Sequence, residues 1–262
     1  MSHNCENEHF SHGHDHGGHG HGHGHDHDDE APLATNAQQS LYQYIDTTKS
    51  KLLNAVALEG ESLLNTDQKY AAFIKPTDQK FDIQRSLKSD IDCQMAIQIQ
   101  FTGSCRIKSI ILRCNKPELS EEFDAPKTIE IYKNWKRSVN LDFDNLASKK
   151  IKPDMSVEYP KDIGIDPTTT EKIDLNEDSM IEYHMTKGKF NDCHSFTLFF
   201  KDNWTSDEDN LCKLYYLEIR GDYIGKIERD NTVPIVSVYE SAPNPLDHQK
   251  VESSSDKINL GL

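Results

Sequence analysis

The chain has 262 residues, with 29 Lys and Arg against 44 Asp and Glu, for a formal charge of -15. That balance excludes a general nucleic-acid binder, which needs a basic face to neutralise phosphates, and it disfavours adhesion to anionic membranes. Apolar runs such as Ile110-Ile111-Leu112 fall far short of the roughly 20 residues that span a bilayer, and the polar N-terminus lacks the apolar stretch of a secretory signal. The expectation is an acidic protein of the cytoplasm, with nuclear entry also open to it.

Residues 1–32 are expected to be a disordered tail, 33–243 a folded body and 244–262 a second tail. Within residues 1–30 lie ten of the 13 histidines, six glycines and seven acidic residues, with no Lys or Arg. Nothing there could offset the entropy of ordering the chain. The body therefore keeps only -8 of the formal -15, an ordinary acidic surface. In the tail, His12, His14 and His16, then His19, His21, His23, His25 and His27, alternate with Gly or Asp. Neutral imidazole binds zinc, copper or nickel, so these eight are the candidate metal ligands. A flexible His tract offers many equivalent weak arrangements rather than one fixed tetrahedral site. Free histidine titrates near pH 6.5, so full protonation of the ten rings would carry the segment from -7 to +3.

In the body, Asp46 is placed to cap a short helix over Thr47 to Leu53. Phe73-Ile74 reads as a strand before Pro76. Ser89-Asp90-Ile91-Asp92 reads as a turn, since Asp and Ser favour turns and the glycine and further ligands of a calcium loop are missing. Met95, Ile97, Ile99 and Phe101 then alternate with Ala96, Gln98 and Gln100, the period of a half-buried strand. Thr102-Gly103-Ser104 is expected to break that strand, and Ile107 to Leu112 to start a neighbour after a short connection. Further strands are expected at Thr128 to Tyr132, over Phe196, Leu198 and Phe200, and at Leu214 to Arg220. In the last of these Tyr215, Leu217 and Ile219 share a side, and Gly221 ends the strand. Asn140 to Met180 reads as a loop-rich insertion with one strand near Ile173 to Leu175, and Ile235 to Tyr239 as a late strand entered through Pro234. Many short strands with turns between them make an all-β sandwich or barrel, and the long connections favour a jelly roll.

Six cysteines stand at 5, 93, 105, 114, 193 and 212, with no Cys-x-x-Cys among them. Without a secretory signal they are expected to be reduced, and Cys93, Cys105 and Cys193 to sit in apolar surroundings. Neighbours on a strand point to opposite faces, so Cys193-His194 makes no nucleophile–base pair. No Gly-x-Ser-x-Gly, P-loop or dinucleotide glycine pattern occurs. No enzymatic activity and no cofactor are expected. His184 and His248 stand alone and read as surface or structural groups. Trp135 and Trp204, the two tryptophans, are the aromatic platforms a lectin-like reading would need; partial burial is expected of Trp135.

Taken together, these segments resemble the PITH domain, the C-terminal domain of a proteasome-interacting thioredoxin. The resemblance runs from Leu41-Tyr42-Gln43-Tyr44-Ile45-Asp46 and Leu53-Asn54 through Phe73-Ile74-Lys75-Pro76 and Ser89-Asp90-Ile91-Asp92 to Ile99-Gln100-Phe101-Thr102-Gly103. It continues in Pro126 to Asn134, Leu141-Asp142-Phe143-Asp144, Lys189-Phe190 and Tyr216-Leu217-Glu218-Ile219-Arg220-Gly221. Tyr239 to His248, with the His-Gly-rich start, is similar to the stand-alone branch that has no thioredoxin domain. The resemblance implies a jelly-roll β-sandwich of galactose-binding-like form, a protein-binding role, and, as in the thioredoxin-linked relative, docking on the regulatory particle of the proteasome. The thioredoxin motif is absent, so no redox activity carries over, and the resemblance transfers no contact residues. Thr102-Gly103 and Tyr239 to His248 are the candidate contact segments. A metal-handling role for the His-rich tail is the alternative function.

Overall fold

The computed structural model describes residues 34–65, 68–118, 122–136, 139–148, 151–166 and 177–225. Its strands are β1 (Lys51–Leu53), β2 (Ala55–Glu59), β3 (Ser62–Leu63), β4 (Arg85–Ser89), β5 (Met95–Cys114), β6 (Phe123–Asp124) and β7 (Thr128–Lys133). After the short α-helix α1 (Phe143–Ala147) come β8 (Met155–Glu158), β9 (Ile181–His184), β10 (Cys193–Phe200) and β11 (Leu211–Gly225). No helix among the described residues is long and apolar enough to cross a membrane.

The strand order follows from one long element. The first part of β5 pairs antiparallel with β1 on one side and β10 on the other, and β7 and β8 extend that leaf beyond β10. The second part of β5 pairs with β9 and β11, and β4, β2 and β3 extend the other leaf beyond β11. Hydrogen bonding is thus continuous through all eleven strands, while the two leaves close on one core. Ile97, Ile99, Ile131, Phe196 and Leu198 enter it from the first leaf, and Leu87, Leu112, Leu217 and Ile219 from the second. This is the antiparallel all-β sandwich expected from the alternation. The Phe196 and Thr128 strands also lie where expected.

β5 does not break at Thr102-Gly103-Ser104. It runs for 20 residues, and Gly103 serves a close approach instead of a turn: a Cβ there would stand 2.1 Å from the carbonyl oxygen of Gly225. Gly221 likewise does not end β11. A Cβ at Gly221 would lie 2.0 Å from the Arg106 carbonyl oxygen, so the strand continues to Gly225 because the side chain is missing. Next to this contact Ser109 faces Arg220 while Ile107 faces Gly221, leaving Lys108 as the extra residue of a bulge. The core positions of β5 change parity there, from odd numbers up to Ile107 to even numbers from Ile110 to Cys114. A second irregularity at Tyr215 puts Leu214, not Tyr215, with Leu217 and Ile219 in the core; the Tyr215 hydroxyl donates to Asn115 at 2.7 Å.

Gly221→Ala should therefore destabilise the domain by about 3 kcal/mol, because the obstacle is backbone that cannot swing away. That corresponds to a fall in Tm of roughly 6–12 °C. Gly188, at φ 78° with open space around its missing Cβ, is the comparison: Gly188→Ala should cost about 1 kcal/mol, the conformational penalty alone. Equal losses in thermal melts of the two variants would contradict the close-approach account.

Three further expectations are corrected. Asp46 caps no helix: its carboxylate accepts from the Thr48 amide at 3.2 Å in a turn, and the chain is extended again from Lys51. Phe73 and Ile74 follow a 3₁₀ turn and plug the core without pairing as a strand. The Asn140 to Met180 insertion carries α1 and β8, while Ile173 to Leu175 lies outside the described residues, as does Ile235 to Tyr239.

Candidate functional site

On the outer face of the first leaf, the residues alternate with the core set. Register places Lys51 of β1 opposite Gln98 of β5, Gln98 opposite Thr197 of β10, and Thr197 opposite Tyr132 of β7. The next rank pairs Gln100 with Ser195. Toward the other end of the leaf this face turns apolar, with Ala96, Tyr132 and Phe199 buried beneath Trp135 and Leu146. The lid is the segment that carries α1. Asp142 caps that helix by accepting from the Asn145 amide at 2.8 Å, and Phe143 and Leu146, three residues apart, turn the same helical face onto Phe199 and its neighbours. Trp135 is held edge-on to Tyr132 and donates its indole N–H to the Val139 carbonyl at 3.0 Å.

The lid covers only part of the leaf. Between it and β1 a groove of about 670 Å³ remains, within the roughly 300–1,000 Å³ range of ligand-binding clefts. Gln98, Gln100 and Ser195 form its floor, Lys49 and Lys51 one rim, and Lys136 with Asn140 the other. Asn134 builds one end. It sits at φ 51°, a left-handed conformation that asparagine tolerates, and its side-chain oxygen accepts from the amides of His194 at 2.7 Å and Ser195 at 3.1 Å. This clamp fixes the irregular start of β10 and sets His194 into the groove wall. His194 Nε2 lies 3.5 Å from an Asp192 carboxylate oxygen, while its Nδ1 is buried with no hydrogen-bond partner. The Thr197 hydroxyl, one position further along β10 on the same face as Ser195, is also buried and unpartnered among the described residues.

The groove is electrostatically unlike the rest of the chain. Among the described residues its lining holds three lysines and His194 but no carboxylate, on a protein of formal charge -15. Two carboxylates contact lining residues, Asp46 through Lys49 and Asp192 through His194. Lys49 bonds Asp46 at 2.7 Å, and this bond together with the Thr48 hydroxyl holds the Asp46 carboxyl below its ordinary range. Lys51 and Lys136 are exposed at the rims.

The groups that sequence reasoning singled out fall elsewhere. Cys93, Cys105, Cys114, Cys193 and Cys212 are free and buried, as expected of the three that were assigned to apolar surroundings. Burial pushes the thiols of Cys93 and Cys105 up to about 11 and about 12 and raises the other three as well, which makes them inert as nucleophiles. Ser89 ends β4, and Asp90 to Asp92 form the expected bend, in which Asp92 accepts from the Asn54 side chain at 2.8 Å. Thr102-Gly103 lies inside β5, and Trp135 is buried beyond the partial burial expected of it. Trp204 donates to the Tyr159 carbonyl at 3.0 Å, and the ammonium groups of Lys127 and Lys161 stand 5.0 Å and 5.1 Å from its ring centre. Tyr239 to His248 and the eight tail histidines lie outside the described residues. Within the described residues, no three His, Cys, Asp or Glu side chains group as around a metal ion.

Lys75 was part of a family word but carried no assigned role. Its side chain is fully buried, and its ammonium donates to the carbonyls of Asp82 at 2.6 Å and Arg85 at 2.8 Å, with the Asp82 carboxylate at 3.5 Å. Burial lowers it to about 8 against the pull of Asp82. It pins the segment after Pro76 to the start of β4. The outer face of the second leaf is similarly occupied. Glu218, 2% exposed, accepts from Thr77 at 3.0 Å, Tyr216 at 2.9 Å and Arg220 at 3.1 Å.

Comparison with known proteins returns one family. The PITH domain profile matches residues 31–243. PITH domain-containing protein 1 of Danio rerio is 28% identical over 225 residues, covering 86% of this chain and 88% of that protein. The Homo sapiens protein of the same name is 25% identical over 222 residues, covering 84% and 86%. That of Dictyostelium discoideum is 25% identical over 252 residues, covering 95% and 94%. Among solved structures, the C-terminal domain of a chitobiase from Bacteroides fragilis aligns at TM-score 0.40 and 11% identity, over 70% of this chain and 99% of that one. The tandem CBM32 and M60 catalytic domains of Clostridium perfringens ZmpB align at TM-score 0.40 and 11% identity, over 69% of this chain and 14% of that one.

Proposed function

The chain belongs to the PITH domain family, and from that membership we propose that it is a protein-binding module with no reaction of its own, acting as an adaptor on the regulatory particle of the proteasome. The observation that carries the reading is the groove on the first leaf: a preformed cleft whose floor presents amide and hydroxyl groups and whose rims present lysines. The groups best suited to chemistry are occupied by the fold itself. The buried thiols are held neutral, Lys75 is taken up by carbonyls, and Glu218 by its three donors. We place the protein in the cytoplasm and nucleus, where the regulatory particle would be met.

Affinity capture from native lysate tests this, using the full chain and a full-length Lys51→Glu, Lys136→Glu variant, read by mass spectrometry. Recovery of regulatory-particle subunits by the native chain, and their loss with the variant, is the expected result. Absence of those subunits from both captures would overturn the adaptor reading.

A further inference from the structure

We propose that the groove on the first leaf receives an acidic, extended peptide segment of a partner protein; this rests on the protein-binding reading above and names the chemistry it selects. Charge is the first argument. Lysines stand on both rims, Lys51 on one and Lys136 on the other, with no carboxylate among the described lining residues to neutralise them. On a chain of formal charge -15 such a concave, acid-free surface focuses positive potential where the rest of the molecule repels anions. An acidic segment is thereby favoured in this cleft, which supplies specificity as well as encounter rate.

The floor is the second argument. Gln100 donates an amide N–H to the His194 carbonyl at 2.8 Å, which fixes that side chain in the floor, and the Thr197 hydroxyl of the same face is buried and unpartnered among the described residues. His194 Nδ1 in the wall is buried and unpartnered. Buried polar groups are normally hydrogen-bonded, so these are positions that a ligand backbone would satisfy. The third argument is what the lining lacks. The Trp135 ring is buried and its N–H is committed to Val139, so no open aromatic face is presented for stacking a sugar. Separated point charges over an amide floor fit carboxylates spaced along a chain, with main-chain groups between them.

The test uses fluorescence anisotropy of purified full-length protein with a labelled peptide of alternating Glu and Ser, and with its Gln/Ser counterpart. The Glu/Ser peptide should bind saturably and the Gln/Ser peptide at least about tenfold more weakly. Binding should weaken as salt rises from about 0.05 to 0.5 M, where exposed charges are screened. Lys51→Glu with Lys136→Glu should weaken Glu/Ser binding by about tenfold or more at an unchanged melting temperature. Equal affinity for the two peptides, or no effect of the double variant, overturns the proposal. The chain's own acidic tail is the competing occupant: if Glu/Ser binding appears only when the seven tail carboxylates are converted to amides in the full-length protein, the groove serves the tail and the partner assignment is overturned. Peptide binding without capture of regulatory-particle subunits would keep the acid preference and discard the adaptor reading. Capture without peptide binding would place docking on another face.

Discussion

Raising the pH from about 7.5 to 9.5 should lower the stability of the folded body by about 5 kcal/mol, measured as the urea-unfolding free energy under reducing conditions. The cause is five buried thiols. Unfolded cysteine ionises near pH 8.5, whereas Cys93 and Cys105 are raised to about 11 and about 12 in the fold, and Cys114, Cys193 and Cys212 are raised too. A raised folded value means that stability is fully present below pH 8.5 and drains away above it, as the unfolded chain releases protons that the folded chain keeps. Over that interval each thiol costs between about 1 and 2 kcal/mol, roughly 7 kcal/mol for the set. Lys75 opposes them. Its folded value of about 8 lies below the unfolded one, so its burial destabilises most below pH 8 and is relieved as pH rises, returning about 2 kcal/mol. The net loss compares with a typical total of about 5–15 kcal/mol, so the protein should stand near its unfolding limit at the upper pH. In Lys75→Met the relief is gone and the loss should reach roughly 7 kcal/mol. A flat profile in the native chain, or an identical slope in the variant, would sink this account.

Glu218→Ala should cost about 3–5 kcal/mol, roughly 6–20 °C in Tm, because it strands a charge. Glu218 sits on the outward side of β11, yet it is buried together with Tyr216 by the segment around Thr77. Its two oxygens take donors from three residues, and the Arg220 side chain it neutralises is only 11% exposed. Truncation takes the carboxylate from the guanidinium, which keeps the Thr35 hydroxyl at 3.4 Å, and removes the acceptor of the Thr77 and Tyr216 hydroxyls. Glu218→Gln keeps the shape and one acceptor, and should lose less, about 2 kcal/mol. The double variant Glu218→Met, Arg220→Met removes both charges and should recover most of the loss, since apolar replacement of a buried pair is often neutral. A double variant no more stable than Glu218→Ala would show that packing, and not the stranded charge, dominates.

The sandwich was legible because Met95, Ile97, Ile99 and Phe101, like Phe196, Leu198 and Phe200, write a period of two into the chain. What period could not show was where it slips. The bulge at Lys108 exchanges the faces of β5 without any change in composition, since apolar residues flank it on both sides. Gly103 and Gly221 look like turn residues in the sequence because glycine reads the same whether it supplies a turn or makes room for another backbone; only the partner carbonyl distinguishes the two. The groove was invisible for a different reason. Lys51, Gln98, Asn134 and His194 come from four separated segments and meet only through strand register. Asn134 and Gln100 did fall within family words, but nothing local to those words shows a clamp or a floor.

The shared strand has a kinetic meaning as well. β5 gives its first part to one leaf and its second to the other, so neither leaf can complete its hydrogen bonding while the other is open. β10 and β11, which flank those two parts, are separated in sequence from β5 by long intervals, so the pairings that close the sandwich are non-local and should form late. Opening should accordingly be all-or-none across both leaves. Amide protons of β10 and β11 should exchange with a single, global protection, and the groove should persist unaltered until the entire domain melts.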